Sequence, residues 1–170
     1  MKKLVLSLAV AALALGANAQ SSEGKQLSFG IGARIALPIG SFGDGYSIGI
    51  GGEAQAEYMF SNTASAVGSI GYTTYAGKEI DLGAFGKFKN PSAAFIPIMV
   101  GARYYPAQQF FVGAKVGYAV SAQSGGTGGF SYEPQVGFNA SHFQASLGYN
   151  GISASGSSLG SIGASLIYKF

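Results

Sequence analysis

The chain contains no cysteine, so neither a disulfide nor a thiolate metal site can hold it together. The same absence removes the residue through which a bacterial lipoprotein is anchored, and any membrane association must come from the folded surface itself. One histidine in 170 residues leaves no second imidazole for a zinc site of the usual pattern. Charge is scarce as well: Asp, Glu, Lys and Arg make up 10% of the chain, against roughly 25% in soluble domains. That is a poor supply for a soluble surface. Net charge is +3, and without Lys2 and Lys3 it falls to +1, eight basic residues against seven acidic, so no basic patch calls for nucleic acid. Beyond residues 4–15 there is no long apolar run, which excludes membrane-spanning helices from the rest of the chain.

What is present begins with a three-part start. Met1, Lys2 and Lys3 are basic, residues 4–15 are almost unbroken apolar, and Ala17-Asn18-Ala19 places small residues where a signal peptidase reads. This layout predicts a cleaved signal peptide over residues 1–19 and one domain over 20–170. The apolar run is shorter than the about 20 residues a spanning helix needs. The remainder is rich in glycine, 28 residues, and in aromatics, 10 Tyr and 12 Phe.

From Leu27 onward the dominant period is two, the spacing of a strand whose side chains alternate between faces. Leu27, Phe29, Ile31, Ala33, Ile35 and Leu37 share one face, and Ser28, Gly30, Gly32, Arg34 and Ala36 the other. The pattern repeats around Glu53 and Glu57, over 64–75, around Arg103 despite Pro97, around Lys115, around Glu133, around Gln144 and before Lys169. Each charged residue lies opposite a row such as Ile96, Ile98, Val100, or Val112, Ala114, Val116. This predicts about eight strands, each near the length of a tilted membrane strand. Connections alternate in length: 60–62, 106–109 and 139–141 are short, whereas 38–45, 77–92, 123–129 and 151–158 are long. Short turns at one end and long loops at the other, with an even strand number, are features of outer-membrane barrels. Tyr58, Tyr72, Tyr104, Phe110, Phe130, Phe138, Phe143, Tyr149 and other rings fall near segment ends, where aromatic girdles would sit.

A soluble eight-stranded barrel would turn its apolar face inward and show water a richly charged face. Here the non-apolar face carries Gly, Ser and Ala with about one charge per strand, a poor solvent surface but an acceptable narrow lumen. Arg or Lys facing lipid costs roughly 2–4 kcal/mol at mid-membrane, and a one-residue slip would turn every charge outward. The reading is therefore a lumen containing Arg34, Arg103, Lys115 and Lys169 beside Glu53, Glu57 and Glu133. Buried charges need partners, and Arg34 with Glu53 on adjacent strands is the pair expected first. The inner glycines, among them Gly30, Gly32, Gly49, Gly51, Gly113 and Gly117, let a tightly curved sheet bend.

No constellation for catalysis emerges. Ser141 and His142 are sequence neighbours and point to opposite faces of a strand. Gly49-Ile50-Gly51-Gly52 lacks the lysine and following helix of a phosphate loop. Asn139-Ala140-Ser141 matches a glycosylation pattern too short to carry weight. Glu53 and Glu57 are more simply lumen packing than an acid–base pair. The charged stretch 77–92 offers Lys87 and Lys89 to anionic lipid head groups, with Phe85 and Phe88 bracing the loop.

The end Leu166-Ile167-Tyr168-Lys169-Phe170 resembles the terminal signal of outer-membrane barrels, with an aromatic last residue and another two before it. Leu37-Pro38-Ile39-Gly40-Ser41-Phe42 through Glu57-Tyr58, and Gly101-Ala102-Arg103-Tyr104-Tyr105, resemble the small porin-like barrels of the OmpA/OmpX type found in Bacteroidetes. The resemblance implies the fold and a location in the bacterial outer membrane. It also implies that Tyr168 and Phe170 are read by the barrel-assembly machinery during biogenesis.

Together these readings predict an all-β, eight-stranded, antiparallel up-and-down transmembrane barrel. Its expected role is structural or adhesive, with a filled lumen, four external loops, no enzymatic activity and no cofactor. Its expected partners are outer-membrane lipids and lipopolysaccharide, as a monomer. The alternative is a narrow channel for ions or small solutes, which the strand number opposes because eight strands leave room for little but side chains.

Overall fold

The computed structural model describes residues 26–81, 86–123, 125–154 and 157–170. The expected signal peptide, Phe85 and Ser124 lie outside them. Among the described residues, eight strands form a closed barrel: β1 (Gln26–Ile39), β2 (Tyr46–Ser61), β3 (Ala64–Gly77), β6 (Ala93–Ala107), β7 (Phe110–Ser121), β8 (Gly129–Asn139), β9 (Phe143–Ala154) and β10 (Ser157–Lys169). A helical turn, α1 (Ser41–Gly45), links β1 to β2, and a small hairpin of β4 (Glu79–Asp81) and β5 (Lys87–Lys89) stands between β3 and β6.

Each barrel strand pairs antiparallel with its sequence neighbour in the barrel, and β1 returns to β10 from Gly30↔Lys169 to Ile39↔Gly160. Closure leaves no strand edge unpaired along the wall. Short turns gather at one end, the turn end, and the links through α1, through the β4–β5 hairpin and through 122–128 at the other, the loop end.

The alternation read from the sequence holds through all eight strands. Outward positions such as Ile31, Ile35, Ile50, Ile70, Ile98, Val100, Val116, Leu147 and Leu166 are exposed, up to 63% at Val100. Arg34, Glu53, Glu57, Arg103, Lys115 and Glu133 are buried inside. Among the described barrel-strand residues, no outward position carries a charge. Outward rings cluster toward both ends, with Phe110 against Phe138 at 5.3 Å at the turn end and Tyr118 opposite Phe130 nearer the loop end.

Two expected loops are shorter than the sequence indicates. Of the link placed at 151–158, residues 151–154 belong to β9 and 157–158 to β10, with Gly151 paired to Gly160 and Ser153 to Ser158. A ladder needs backbone, not side chains, so a Gly/Ser run can extend it, and Ile152 is drawn inward onto apolar neighbours. β1 likewise runs on through Pro38 to Ile39. Its pairing with β2 ends at Ala36↔Gly49, so the amide that Pro38 lacks is not needed on that side.

Pro97 and Pro134 each interrupt one ladder and keep the other. Pro97 pairs with Ala119, but β3–β6 pairing stops at Ile70↔Ile98 and resumes at Thr73↔Phe95. Pro134 pairs with Ala114, while β8–β9 pairing skips from Tyr132↔Gly151 to Gln135↔Gly148. The chain enters α1 through Gly40 at φ 60° and ψ −149°, a region open essentially to glycine alone. Replacing Gly40 with Ala is expected to lower stability by on the order of 1 kcal/mol, read from the urea midpoint of the refolded barrel, with the sheet content unchanged.

Candidate functional site

The eight inner faces converge on a lumen filled in three layers. At the loop end, α1 folds into the barrel mouth and seats Phe42 against Tyr75, with ring centroids 4.9 Å apart. Ala36, Phe95, Ala119 and Ile152 complete this apolar stopper. Alternation marks all but Phe42 as inward, yet a reading that used charges to define the lumen gave these residues no role.

The middle layer is a closed ring of four charges. Arg34 reaches Glu133 as a two-pronged fork, at 3.2 Å from Nη1 and 2.6 Å from Nη2. Lys115 Nζ donates to Glu53 at 2.6 Å and lies 3.3 Å from Glu133, and Arg34 closes the circuit to Glu53 at 3.6 Å. The pair expected first from sequence is thus the loosest of the four contacts. The register explains this: Gly32, not Arg34, faces Glu53 across β1–β2, and the lumen is narrow enough for Arg34 to cross to β8. Gly163 on β10 permits the crossing, since a Cβ there would collide with the guanidinium. Asn150 and Ser165 supply further hydrogen bonds to Glu133 and Glu53 at 3.4 Å each.

The third layer lies toward the turn end. Arg103 Nη1 donates to Glu57 at 2.8 Å and to Gln144 at 3.0 Å, and Nη2 to Gln55 at 3.0 Å. Ser65 and Tyr105 donate to Glu57 from β3 and β6. Beneath, the Phe111 ring centroid lies 4.6 Å from the Arg103 guanidinium carbon. Lys169 is not paired with a carboxylate; half-buried, it donates to Asn139 at 2.5 Å. The seven lumen charges therefore form a ring of four, a pair and a lysine at the rim rather than one net. Gln55, Gln144, Asn150, Tyr105 and Ser165 were not assigned to the network from sequence, although their strand parity places all five on the charged face.

A cavity of about 20 Å³ lies beside the ring, lined by Arg34, Glu53, Lys115, Glu133, Asn150 and others. That is room for about one water. Among the described residues, no group of three or more His, Cys, Asp or Glu is arranged to hold a metal.

Outside the lumen, Lys87 is paired with Glu79 at 2.9 Å, and both side chains are more than half exposed. Phe88 is 55% exposed and does not brace its loop as expected; in so short a strand it falls on the face opposite Lys87 and Lys89. Tyr168 and Phe170 stand on the outer wall at the turn end. Tyr168 packs edge-on against Phe143 at 5.3 Å and stacks on His142 at 6.2 Å.

No family model matches the chain, and no curated protein sequence does. Solved structures do. The crystal structure of Ail, the attachment invasion locus protein of Yersinia pestis, aligns over 88% of this chain and 100% of its own, with a TM-score of 0.58 and 16% identity. Ail in a phospholipid bilayer nanodisc aligns over 87% and 100%, with a TM-score of 0.58 and 16% identity. A de novo designed transmembrane β-barrel aligns over 84% and 95%, with a TM-score of 0.52 and 12% identity. At these identities the likeness is one of fold: small eight-stranded barrels of the outer-membrane, transmembrane kind.

Proposed function

We propose that this chain is an integral protein of a bacterial outer membrane. In this reading its barrel is a closed structural scaffold, and its loop end faces outward to make surface contacts. The observation that carries the reading is the distribution of charge: all seven ionised side chains of the barrel strands are on the inner face, and the outer face has none. Such a wall suits hydrocarbon and would be a poor boundary with water. The outer-membrane neighbours and the signal-like start agree with it, and Ail is, by its name, an attachment and invasion locus protein built on a barrel of similar fold.

The remaining assignments belong to the same reading. The barrel is of the Bacteroidetes type and functions as a monomer without enzymatic activity or cofactor. Tyr168 and Phe170 serve as the signal for the assembly machinery. Lys89, with Lys87 where it parts from Glu79, meets lipopolysaccharide phosphates.

A second reading, a narrow channel, draws on the luminal cavity and inner glycines, but the charge ring and the Phe42 stopper block the axis. Planar-bilayer recording of the purified chain separates the two. A silent membrane is expected, and steady conductance that changes with the charge at Glu133 would favour the channel. Heat-dependent gel migration of outer membranes, with β-rich circular dichroism, tests the barrel and its location.

A further inference from the structure

Two luminal side chains keep polar atoms that no protein group satisfies. Gln135 is buried with neither its amide nitrogen nor its carbonyl oxygen bonded, and the buried Arg103 has a free Nε. The register places them together. Arg103 pairs with Gly113 and Gly113 with Gln135, so the two residues flank one glycine on the inner face of β7. Their Cα atoms lie two strand spacings apart, about 10 Å; Gly113 puts no side chain between them, and the Arg103 stem leans over it. Gln135 faces another glycine, Gly148, on its other side. The positions directly across both ladders therefore offer it no side chain, and no other protein group bonds it. The floor is closed by the Phe111 ring, which lies under the Arg103 guanidinium and so close to Gly137 that a Cβ there would overlap it. One inward position along β8 toward the loop end is Glu133, a member of the charge ring.

We infer that a buried hydration site lies between Arg103 and Gln135 beside Gly113, where an ordered water accepts a hydrogen bond from Arg103 Nε and bonds the Gln135 amide. The donor set selects the ligand. Arg103 Nε and the Gln135 nitrogen donate, whereas the Gln135 oxygen accepts, so the occupant must do both. Water does; a halide can only accept. Buried polar atoms left bare are costly, and internal waters typically make about three hydrogen bonds to groups of this kind. The site is internal and does not depend on whether the barrel conducts.

The test is water-contact NMR on the full chain in bilayer nanodiscs. Through-space transfer from long-lived water is expected at both the Gln135 side-chain amide and the Arg103 Nε–H. In Gln135→Leu the contact at Arg103 should disappear, and Gln135→Met provides the same reading if the leucine variant folds poorly. Absence of water transfer at both groups in the unmodified protein would overturn the inference, as would an Arg103 contact that survives unchanged in both variants. A shift of the Arg103 Nε resonance on replacing chloride with sulfate, without water transfer, would mark an anion site and overturn it equally.

Discussion

Glu133→Leu should destabilise the barrel by about 3–5 kcal/mol, the usual cost of removing one partner from a buried ion pair. Glu133 accepts both prongs of Arg34, lies 3.3 Å from Lys115 and takes a bond from Asn150. Without it, two buried cations share Glu53 alone, and Arg34 reaches that carboxylate only at 3.6 Å. The loss should appear in the urea midpoint for unfolding from detergent or bilayer. Glu133→Gln, which keeps an acceptor and loses the charge, should fall between the parent and the leucine variant. Replacing all four ring members with apolar residues of similar volume should recover most of the loss, since the desolvation of the charges disappears with them. A penalty below about 1 kcal/mol for Glu133→Leu, the range of exposed pairs, would mean that the ring is wet and that the axis is more open than its geometry indicates.

The parity of the strands could be read directly from residues such as Arg34, Glu53 and Lys115, because a charge is a strong marker of the non-lipid face and a strand gives only two choices. Which charges meet was harder to read. Strand neighbours can be counted from sequence, but Arg34 joins Glu133 across the lumen, and that contact depends on barrel diameter, strand stagger and the space left by Gly163. The Phe42 stopper was missed for a different reason: it comes from a link, α1, whose residues have no strand period, and its neighbours Ala36, Phe95 and Ile152 look like exceptions to a polar lumen. The overestimate of the last loop has a third cause. Gly151, Ser153 and Ser158 have side chains too small to signal a face, while their backbone pairs as well as any other.

The membrane reading yields the second large effect. Val116 lies midway along β7 on the outer wall, between Val100 and Tyr132 on its neighbours. If that wall meets hydrocarbon, Val116→Lys should cost roughly 2–4 kcal/mol, and a lysine near the interface about 0–1 kcal/mol. Ser153, exposed near the loop end of β9 and opposite Phe130, supplies that second position. Refolding each variant into phosphatidylcholine vesicles at graded urea and scoring the folded gel band gives both costs in one experiment. The comparison is sharper than either value alone, because both variants add the same lysine to an exposed strand position and differ in depth. In a water-soluble barrel neither lysine would be penalised, and Val116→Lys would raise solubility by breaking an apolar patch. Equal costs at the two sites, or a parent chain that stays dispersed without detergent, would therefore remove the membrane from the account and leave a barrel whose outer wall has no explanation.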